Sequence, residues 1–505
     1  MAADIISQIV EKRKSDIGQK GFSFGHEIPK ERSRLLHPFL DEKGVILEVK
    51  RASPSKGDIA PGLDASATAS VYEKAGAGAI SVLTEENFFK GSLDDLKSVC
   101  DSVDCAVLRK DFLIYPEEIE IAYKCGADAV LLIARILEKE SLAKMLSKCA
   151  ALGMTAFVEL RLESDLQRLS SALKEAKGVK IVCGVNSRDL KDFSIDLLSP
   201  SVFLPKIKTA LGDVPVVFES GIRTSDAAGF AGSLGFEGLL LGEAAARNSL
   251  VAKDLVAAFQ KAAPSKSAAF WKNYSEKLAG KSAEKKSPFV KICGLTNFED
   301  AETAIKCGAD FLGFIFCASS PRKADESLVR RVRSELSEEL SANRIFMVGV
   351  ITEISSAEGQ TAIALLKEGV LDALQLHGEK AQKEFFADEK IRTLPHYCAV
   401  NLCDESDIEK IKTLFDMGEP RVLIDAKSGE RIGGTGKRIV ESLVHEAGRI
   451  IPLWLAGGLG AENIREVVVD CRPELVDASS LLESAPGKKD HDKLRHFFSE
   501  TCGAV

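Results

Sequence analysis

The stretch ILEVKRASPSKG, residues 46–57, opens as an aliphatic strand and by its end has delivered a carboxylate, three cations and two serines. In a strand buried on both faces, a switch from aliphatic to ionisable side chains at the carboxyl end marks a pocket rather than a core. The same pattern recurs through the first half. Short β-rich runs alternate with helical periodicity: VILEVK (45–50), AISVLTEE (79–86), CAVLRKD (105–111), DAVLLIAR (128–135), TAFVELR (155–161), KIVCGVNSRD (180–189), VPVVFESG (214–221) and FEGLLLGEA (236–244). Their interiors are Val, Ile and Leu, and their carboxyl ends are polar or glycine. This predicts parallel strands closed as a (β/α)8 barrel with its site at the carboxyl edge. A doubly wound open sheet is the competing arrangement, but neither half has a GxGxxG after its first strand to mark a dinucleotide crevice.

After residues 261–288, a stretch rich in Lys, Ser and Ala with few strand formers, the alternation begins again. FVKICG (289–294), FLGFIF (311–316), IFMVGVI (345–351), ALQLHG (373–378), a weak IRTLPHYCAV (391–400), RVLIDAK (421–427), PLWLAGG (452–458) and LVDASS (475–480) predict a second barrel. The expected organisation is α/β with two tandem (β/α)8 TIM barrels. The first covers 1–263 and the second 289–505, joined by a linker over 264–288. Within that linker AAFWKNYSEKLAGK carries helix formers and an aromatic pair able to dock.

The chain has 505 residues, 45% hydrophobic and 28% charged, ordinary globular make-up with apolar material for more than one core. A net charge of −8 and a pI near 5.7 argue against a nucleic-acid binder, whose footprint is strongly basic. Twelve cysteines without a CxxC pair, and seven histidines, resemble neither a disulfide framework nor a zinc site. A reducing, cytoplasmic compartment is expected, with no metal. The opening MAADIISQIVEKRKSDIG reads as an amphipathic helix rather than a secretory signal, and no apolar run is long enough for a bilayer.

In the first half, Glu48 and Lys50, then Lys110, then Glu159 stand at three strand ends that a closed barrel brings together. A lone Lys–Glu pair is ordinarily a structural ion pair. An ammonium that donates a proton and a carboxylate that accepts one, held across a dry pocket, suit dehydration and decarboxylation. Gly221 after strand seven and Gly242 after strand eight fall where barrels bind phosphate through backbone N–H groups.

ILEVKRASPSKG, SVLTEENFFKGS, LRKDF, GVNSRDL and ESGI, in this order over about 260 residues, resemble indole-3-glycerol phosphate synthase. That family closes an indole ring on 1-(2-carboxyphenylamino)-1-deoxyribulose 5-phosphate with loss of carbon dioxide and water. The resemblance implies Lys110 as general acid on the carbonyl and Glu159 handling the proton as the hydroxyl leaves. Lys50 and Ser53 would meet the anionic substrate, while Glu48, Asn186 and Arg188 orient hydroxyls and catalytic groups. Ser220, Gly221, Gly242 and Glu243 would form the phosphate end, and Phe112 and Leu132 the walls around the aromatic ring. Arg135 stands where a small or apolar residue is expected.

In the second half Cys293 ends a strand and Asp425 ends another, so a thiol and a carboxyl can face each other across the mouth. A thiolate favoured by nearby positive charge serves as a base and a buried, protonated carboxyl as an acid, which makes an isomerase pair. No cofactor is needed. Gly434 in GGTGK (433–437), Gly457 and Gly458, and Ser479 and Ser480 supply anion donors, and Arg322 is placed to pair with a carboxylate.

VKICGLTNFEDA, SSPR, LQLHG, AGGLGAENI and APGKKDHDKL resemble phosphoribosylanthranilate isomerase over about the last 215 residues. The resemblance implies Cys293 as general base, Asp425 as general acid, and Gln375 and His377 as builders of the pocket. Ile351 departs from an expected aromatic residue and Leu481 from an expected glycine at the phosphate loop. Together the halves read as a bifunctional tryptophan-biosynthesis enzyme. It would act on small anionic sugar phosphates, with no nucleic acid, membrane or obligate protein partner. The rival readings are a Schiff-base aldolase using Lys110 or Lys50, and a second barrel kept only as a phosphate-binding module.

Overall fold

The computed structural model describes residues 5–54, 56–189, 194–248, 251–281, 287–426 and 436–503. It divides into two compact units, Met1–Pro264 and Ser265–Val505. Among the described residues no helix is long and apolar enough to cross a membrane.

In the first unit β1 (Gly44–Val49), β2 (Ala79–Leu83), β3 (Ala106–Lys110), β4 (Ala129–Ile133), β5 (Thr155–Leu160), β6 (Lys180–Asn186), β7 (Val216–Glu219) and β8 (Gly238–Leu241) form a closed parallel barrel. The ring closes where Ile46 of β1 pairs with Leu240 of β8 on one side and Ala79 of β2 on the other. Successive side chains of a strand face opposite sides. The inward set, Ile46, Leu108, Leu131, Phe157, Val217 and Leu240 among them, packs as one core, with Phe39 plugging it edge-on against Phe157. Two residues further along, the same periodicity leads from Ile46 to Glu48, from Leu108 to Lys110, from Phe157 to Glu159 and from Val217 to Glu219. The charged residues therefore point into the ring just above its apolar filling.

The helix Ile5–Lys20 is fastened beside that mouth by one buried cation. Arg13 donates to Asp111 at 2.6 Å and to Glu118 at 2.8 Å, and Asp111 also accepts from Thr84 Oγ1 at 2.6 Å. This latch holds Ile5, Ile6 and Ile9 against the pocket.

The second unit repeats the ring with β9 (Phe289–Cys293), β10 (Phe311–Phe316), β11 (Phe346–Ile351), β12 (Ala373–His377), β13 (His396–Asn401), β14 (Val422–Asp425), β15 (Trp454–Ala456) and β16 (Leu475–Ala478). The weak run at 391–400 is a strand from His396 onward, once Pro395 is passed. The segment read as a linker is more than a tether. Ser265 caps a helix, Lys266–Lys281, by accepting from the Ala268 N–H at 3.0 Å, and the helix belongs to the second unit. Spacing of one and four residues puts Phe270, Trp271 and Tyr274 on one buried face. Tyr274 packs 5.3 Å from the Trp454 ring and 5.4 Å from Phe289. Its hydroxyl donates to Glu474 at 2.5 Å, a carboxylate that also takes Arg421 at 2.6 Å and Trp454 Nε1 at 2.9 Å.

Both tryptophans of the chain, Trp271 and Trp454, lie in this second unit, so their fluorescence reports on it alone. Tyr274→Ala is expected to destabilise the second unit by about 3–5 kcal/mol, the usual loss for an aromatic core truncation. Tyr274→Phe, which keeps the ring and leaves Glu474 its other donors, is expected to lose only about 1 kcal/mol. Urea unfolding followed by tryptophan fluorescence measures both, and equal losses would contradict the packing role.

Candidate active sites

In the first ring, Lys110 sits between two carboxylates, 3.3 Å from Glu48 Oε2 and 3.1 Å from Glu219 Oε2. Glu48 in turn holds Lys50 at 3.1 Å. Burial favours the protonated form of each carboxyl, and the lysines oppose it to different extents. Burial would raise Glu48, but Lys110 and Lys50 together bring it down to about 2. Glu219 has no such second cation, and burial, with Glu159 and Glu48 adding to it, pushes it up to about 7. Burial likewise raises Glu159, against Lys110 and a hydrogen bond from Asn186. Lys110 stays firmly cationic, since Glu48, Glu219 and Glu159 outweigh its desolvation. The ring thus holds one fixed ammonium, one fixed carboxylate and two carboxyls able to carry a proton.

These groups open into a cavity of about 1230 Å³, counting its open mouth. Ser53, Phe112, Asn186, Arg188, Ser220, Gly221, Gly242 and Glu243 all line it, as the sequence reading expected. Gly242 must lack a side chain, because a Cβ there would lie 2.6 Å from Glu48 Oε1. Phe112 packs 6.1 Å from Phe89, and Phe89 stands 5.8 Å from Lys50 Nζ, so two aromatic rings flank the charged floor. Glu85 fixes the Phe89 loop by accepting the N–H groups of Phe88 at 2.6 Å and Phe89 at 3.0 Å.

Leu132 is corrected. It is fully buried but does not line the cavity; Leu131 and Ile133 do, since alternation turns Leu132 to the helix side of β4. Arg135 lies in a 3-10 turn after β4 and is absent from the lining, although its charge still reaches Glu159. Sequence reasoning missed Glu219 and Phe89. Glu219 had a signal, because it ends its strand as Glu48 and Glu159 approach the ends of theirs.

In the second ring, Cys293 is 7% exposed at the end of β9, and Gly313 on the next strand leaves room for it, since a Cβ there would lie 2.7 Å from Sγ. Beneath the thiol, Lys291 is wholly buried and donates to Asp477 Oδ2 at 2.5 Å and Gln375 Oε1 at 2.9 Å. Tyr397 donates to the same Gln375 oxygen at 3.0 Å, and His377 Nδ1 stands 3.4 Å from Gln375 Nε2. Burial raises the Cys293 thiol, and Lys291 is the leading opposing influence. Asp425 is 9% exposed, and among the described residues its Oδ1 finds no hydrogen-bond partner. Its charge is felt by Asp477. Gly457, at φ +100°, passes so close that a Cβ would lie 2.8 Å from Asp425 Oδ1.

Arg322 is already engaged. Nε and Nη2 each donate to Glu483 at 2.8 Å, a two-pronged ion pair within the chain, so any substrate carboxylate shares this cation with Glu483. Ser479 gives its hydroxyl to the Cys293 carbonyl at 3.0 Å and its own carbonyl accepts from Lys489 Nζ at 3.1 Å, while Ser480 and Gly458 are exposed. Gly434 lies outside the described residues. Ile351 is wholly buried, and the half-exposed Leu481 leans on Gly460, where a Cβ would lie 2.9 Å from its own. Lys291, Asp477, Glu483 and Lys489 were missed by sequence reasoning. Lys291 and Asp477 were legible as i−2 neighbours of Cys293 and Ser479.

A family model described as indole-3-glycerol phosphate synthase matches residues 7–258, and one described as N-(5'phosphoribosyl)anthranilate (PRA) isomerase matches residues 290–500. The chain is 31% identical over 487 residues to the tryptophan biosynthesis protein TrpCF of Yersinia pestis, covering 94% of this chain and 88% of that one. It is 33% identical over 467 residues to TrpCF of Vibrio cholerae, covering 91% and 86%. The multifunctional tryptophan biosynthesis protein of Schizosaccharomyces pombe is 31% identical over 491 residues, and this chain spans 59% of its length. Among solved structures, phosphoribosyl anthranilate isomerase from Thermotoga maritima is 34% identical with a TM-score of 0.36, covering 43% of this chain and 99% of that chain. An isomerase in complex with reduced 1-(o-carboxyphenylamino)-1-deoxyribulose 5-phosphate is 31% identical, with a TM-score of 0.35 and the same coverage.

The contrast between Glu48 at about 2 and Glu219 at about 7 has a measurable consequence. As pH rises through 7, Glu219 loses its proton and adds negative charge to a pocket suited to anions, so anion affinity falls. Glu219→Gln cannot titrate. The pH 6–8 decline in affinity for an anionic ligand, measured by titration calorimetry, is expected to be steeper in the natural chain than in the variant. Parallel pH curves would contradict this.

Proposed function

Because this chain belongs to the family of bifunctional tryptophan-biosynthesis enzymes that join indole-3-glycerol phosphate synthase to phosphoribosylanthranilate isomerase, we propose which side chains carry each step. The second barrel isomerises N-(5-phosphoribosyl)anthranilate to 1-(2-carboxyphenylamino)-1-deoxyribulose 5-phosphate. The first converts that product to indole-3-glycerol phosphate with loss of carbon dioxide and water. Residues 1–263 form the synthase barrel in this reading, and the isomerase barrel of 289–505 is accompanied by the Lys266–Lys281 helix.

In the synthase, Lys110 donates a proton to the carbonyl oxygen as the ring carbon bearing the carboxylate attacks the carbonyl carbon. Loss of carbon dioxide returns the electron pair to the ring. Glu159 then gives its proton to the departing hydroxyl, which leaves as water, and takes up the proton released by the neighbouring carbon as the indole double bond forms. The support is the charge arrangement: an ammonium fixed by Glu48 and Glu219 faces a carboxyl that burial keeps ready to hold a proton. That arrangement also disfavours the Schiff-base alternative, which needs a neutral amine, whereas the surrounding acidic groups, Glu48 foremost, hold Lys110 cationic. Gly221, Gly242 and the Ser220 and Glu243 backbone take the phosphate, Lys50 and Ser53 meet the carboxylate end, and Glu48, Asn186 and Arg188 orient hydroxyls and catalytic groups.

In the isomerase, Asp425 protonates the ribose ring oxygen as it opens, and Cys293 removes the proton from the neighbouring carbon. The resulting enol relaxes to the ketone. Gly457, Gly458, Ser479 and Ser480 supply phosphate donors, and Gln375 and His377 shape the pocket. An Asp425 oxygen without a hydrogen-bond partner among the described residues supports a group reserved for substrate. The twelve free cysteines support a reducing, cytoplasmic setting.

Separate sites give separable losses. Lys110→Ala and Glu159→Gln are expected to lower indoleglycerol phosphate formation by about 10²–10⁴-fold, the range for removing a general acid or base, with isomerase rates unchanged. Cys293→Ala and Asp425→Asn are expected to do the reverse. Fluorescence assays of anthranilate-derivative consumption and of indole formation measure each step. Loss of both activities from one such change would contradict the assignment.

A further inference from the structure

In the isomerase ring the largest unexplained feature is Lys291. A lysine with no exposed surface in a barrel interior is costly to desolvate, and a methionine of similar length would fill the space without that charge. The hydrogen bonds account for two of its three protons. One goes to Asp477 at 2.5 Å and one to Gln375 at 2.9 Å, whose oxygen Tyr397 also holds. Cys293 stands two residues along the same inward face of β9, so its thiol and the ammonium share one side of the strand.

The other charges around Cys293 are committed elsewhere. Lys489 spends its donors on the Cys293 carbonyl at 2.7 Å, the Ser479 carbonyl at 3.1 Å and Glu483 at 3.2 Å. Arg322 is paired with the same Glu483. Asp425 stands across the mouth on β14, and His377 is beside Gln375. Among the described residues Lys291 is thus the buried cation on the thiol's own strand face.

We propose that Lys291 is a positioning residue for the isomerisation: its ammonium, oriented by Asp477 and Gln375, stabilises Cys293 as the thiolate that takes the substrate proton. This rests on the reading of Cys293 as the base. Asp477 has two opposed effects, since it orients the ammonium and its own charge disfavours the thiolate. Asp477→Asn keeps an oxygen able to accept from the ammonium while removing the negative charge, so Lys291→Met and Asp477→Asn move the thiol in opposite directions, which a merely structural pair would not do.

The test uses the full chain and measures iodoacetamide alkylation of Cys293, resolved by mass spectrometry, against pH. In Lys291→Met the midpoint is expected to rise by about one unit or more, as for loss of an adjacent opposite charge. Isomerase kcat/KM at neutral pH should fall about tenfold or more and recover in alkaline buffer, KM changing little. In Asp477→Asn the midpoint is expected to fall. Unchanged Trp271 and Trp454 fluorescence certifies folding of the unit, and if Lys291→Met fails that check, the direction of the Asp477→Asn shift decides. An unmoved midpoint in a folded Lys291→Met chain, or an upward or absent shift in Asp477→Asn, overturns the proposal. Full isomerase activity in Cys293→Ala would instead overturn the reading beneath it.

Discussion

A lysine ammonium inside a closed ring of strands must be neutralised by carboxylates arriving from other strands, and each barrel here is organised around one such cation. Lys110 is held by Glu48 and Glu219, and Lys291 by Asp477. Neither arrangement is an efficient source of stability, because desolvation of buried ions offsets much of their attraction. What it provides is a fixed field. In the first ring a carboxyl shared by two lysines, Glu48, stays ionised, while Glu219, facing one lysine and two other carboxyls, keeps a proton more readily, so a single ring acquires both acid and base.

The two rings apply that field differently. In the first, the lysine reaches the pocket and its counter-charges sit below and beside it, so the cation itself is available for chemistry. In the second, the lysine is one layer deeper and works through the group above it. The strand periodicity accounts for the difference: Lys110 is the last residue of its strand, while Lys291 is two residues short of the end. Small residues complete both designs, as Gly242 clears Glu48 and Gly313 clears Cys293.

Much of this was legible in the sequence because barrel interiors obey a period of two, and aliphatic runs ending in charge announce the mouth. The eight-plus-eight strands and the charged strand ends follow from that rule, whereas Ser53, Phe112, Asn186, Arg188 and Glu243 were implied only by the family resemblance. Leu132 failed because the run AVLLIAR offers two adjacent leucines, and only register decides which faces inward. Arg322 was read as placed for a substrate carboxylate, and its pairing with Glu483 was not foreseen because that residue is 161 positions away and no local pattern links them. The Lys266–Lys281 segment was read as a linker with helix formers and an aromatic pair able to dock, and its place in the second unit was not legible. Its docking depends on three aromatic residues whose partners come from distant strands.

The shared intermediate offers the most direct check, since it is the product of one ring and the substrate of the other. A crystal structure of the full chain soaked with reduced 1-(o-carboxyphenylamino)-1-deoxyribulose 5-phosphate should contain two molecules per chain. One phosphate should lie at Gly221 and Gly242 with the sugar beside Lys110 and Glu159. The other should lie at Gly457 and Ser479 with the sugar between Cys293 and Asp425. A single occupied ring, or ligands bound away from these four side chains, would contradict the account.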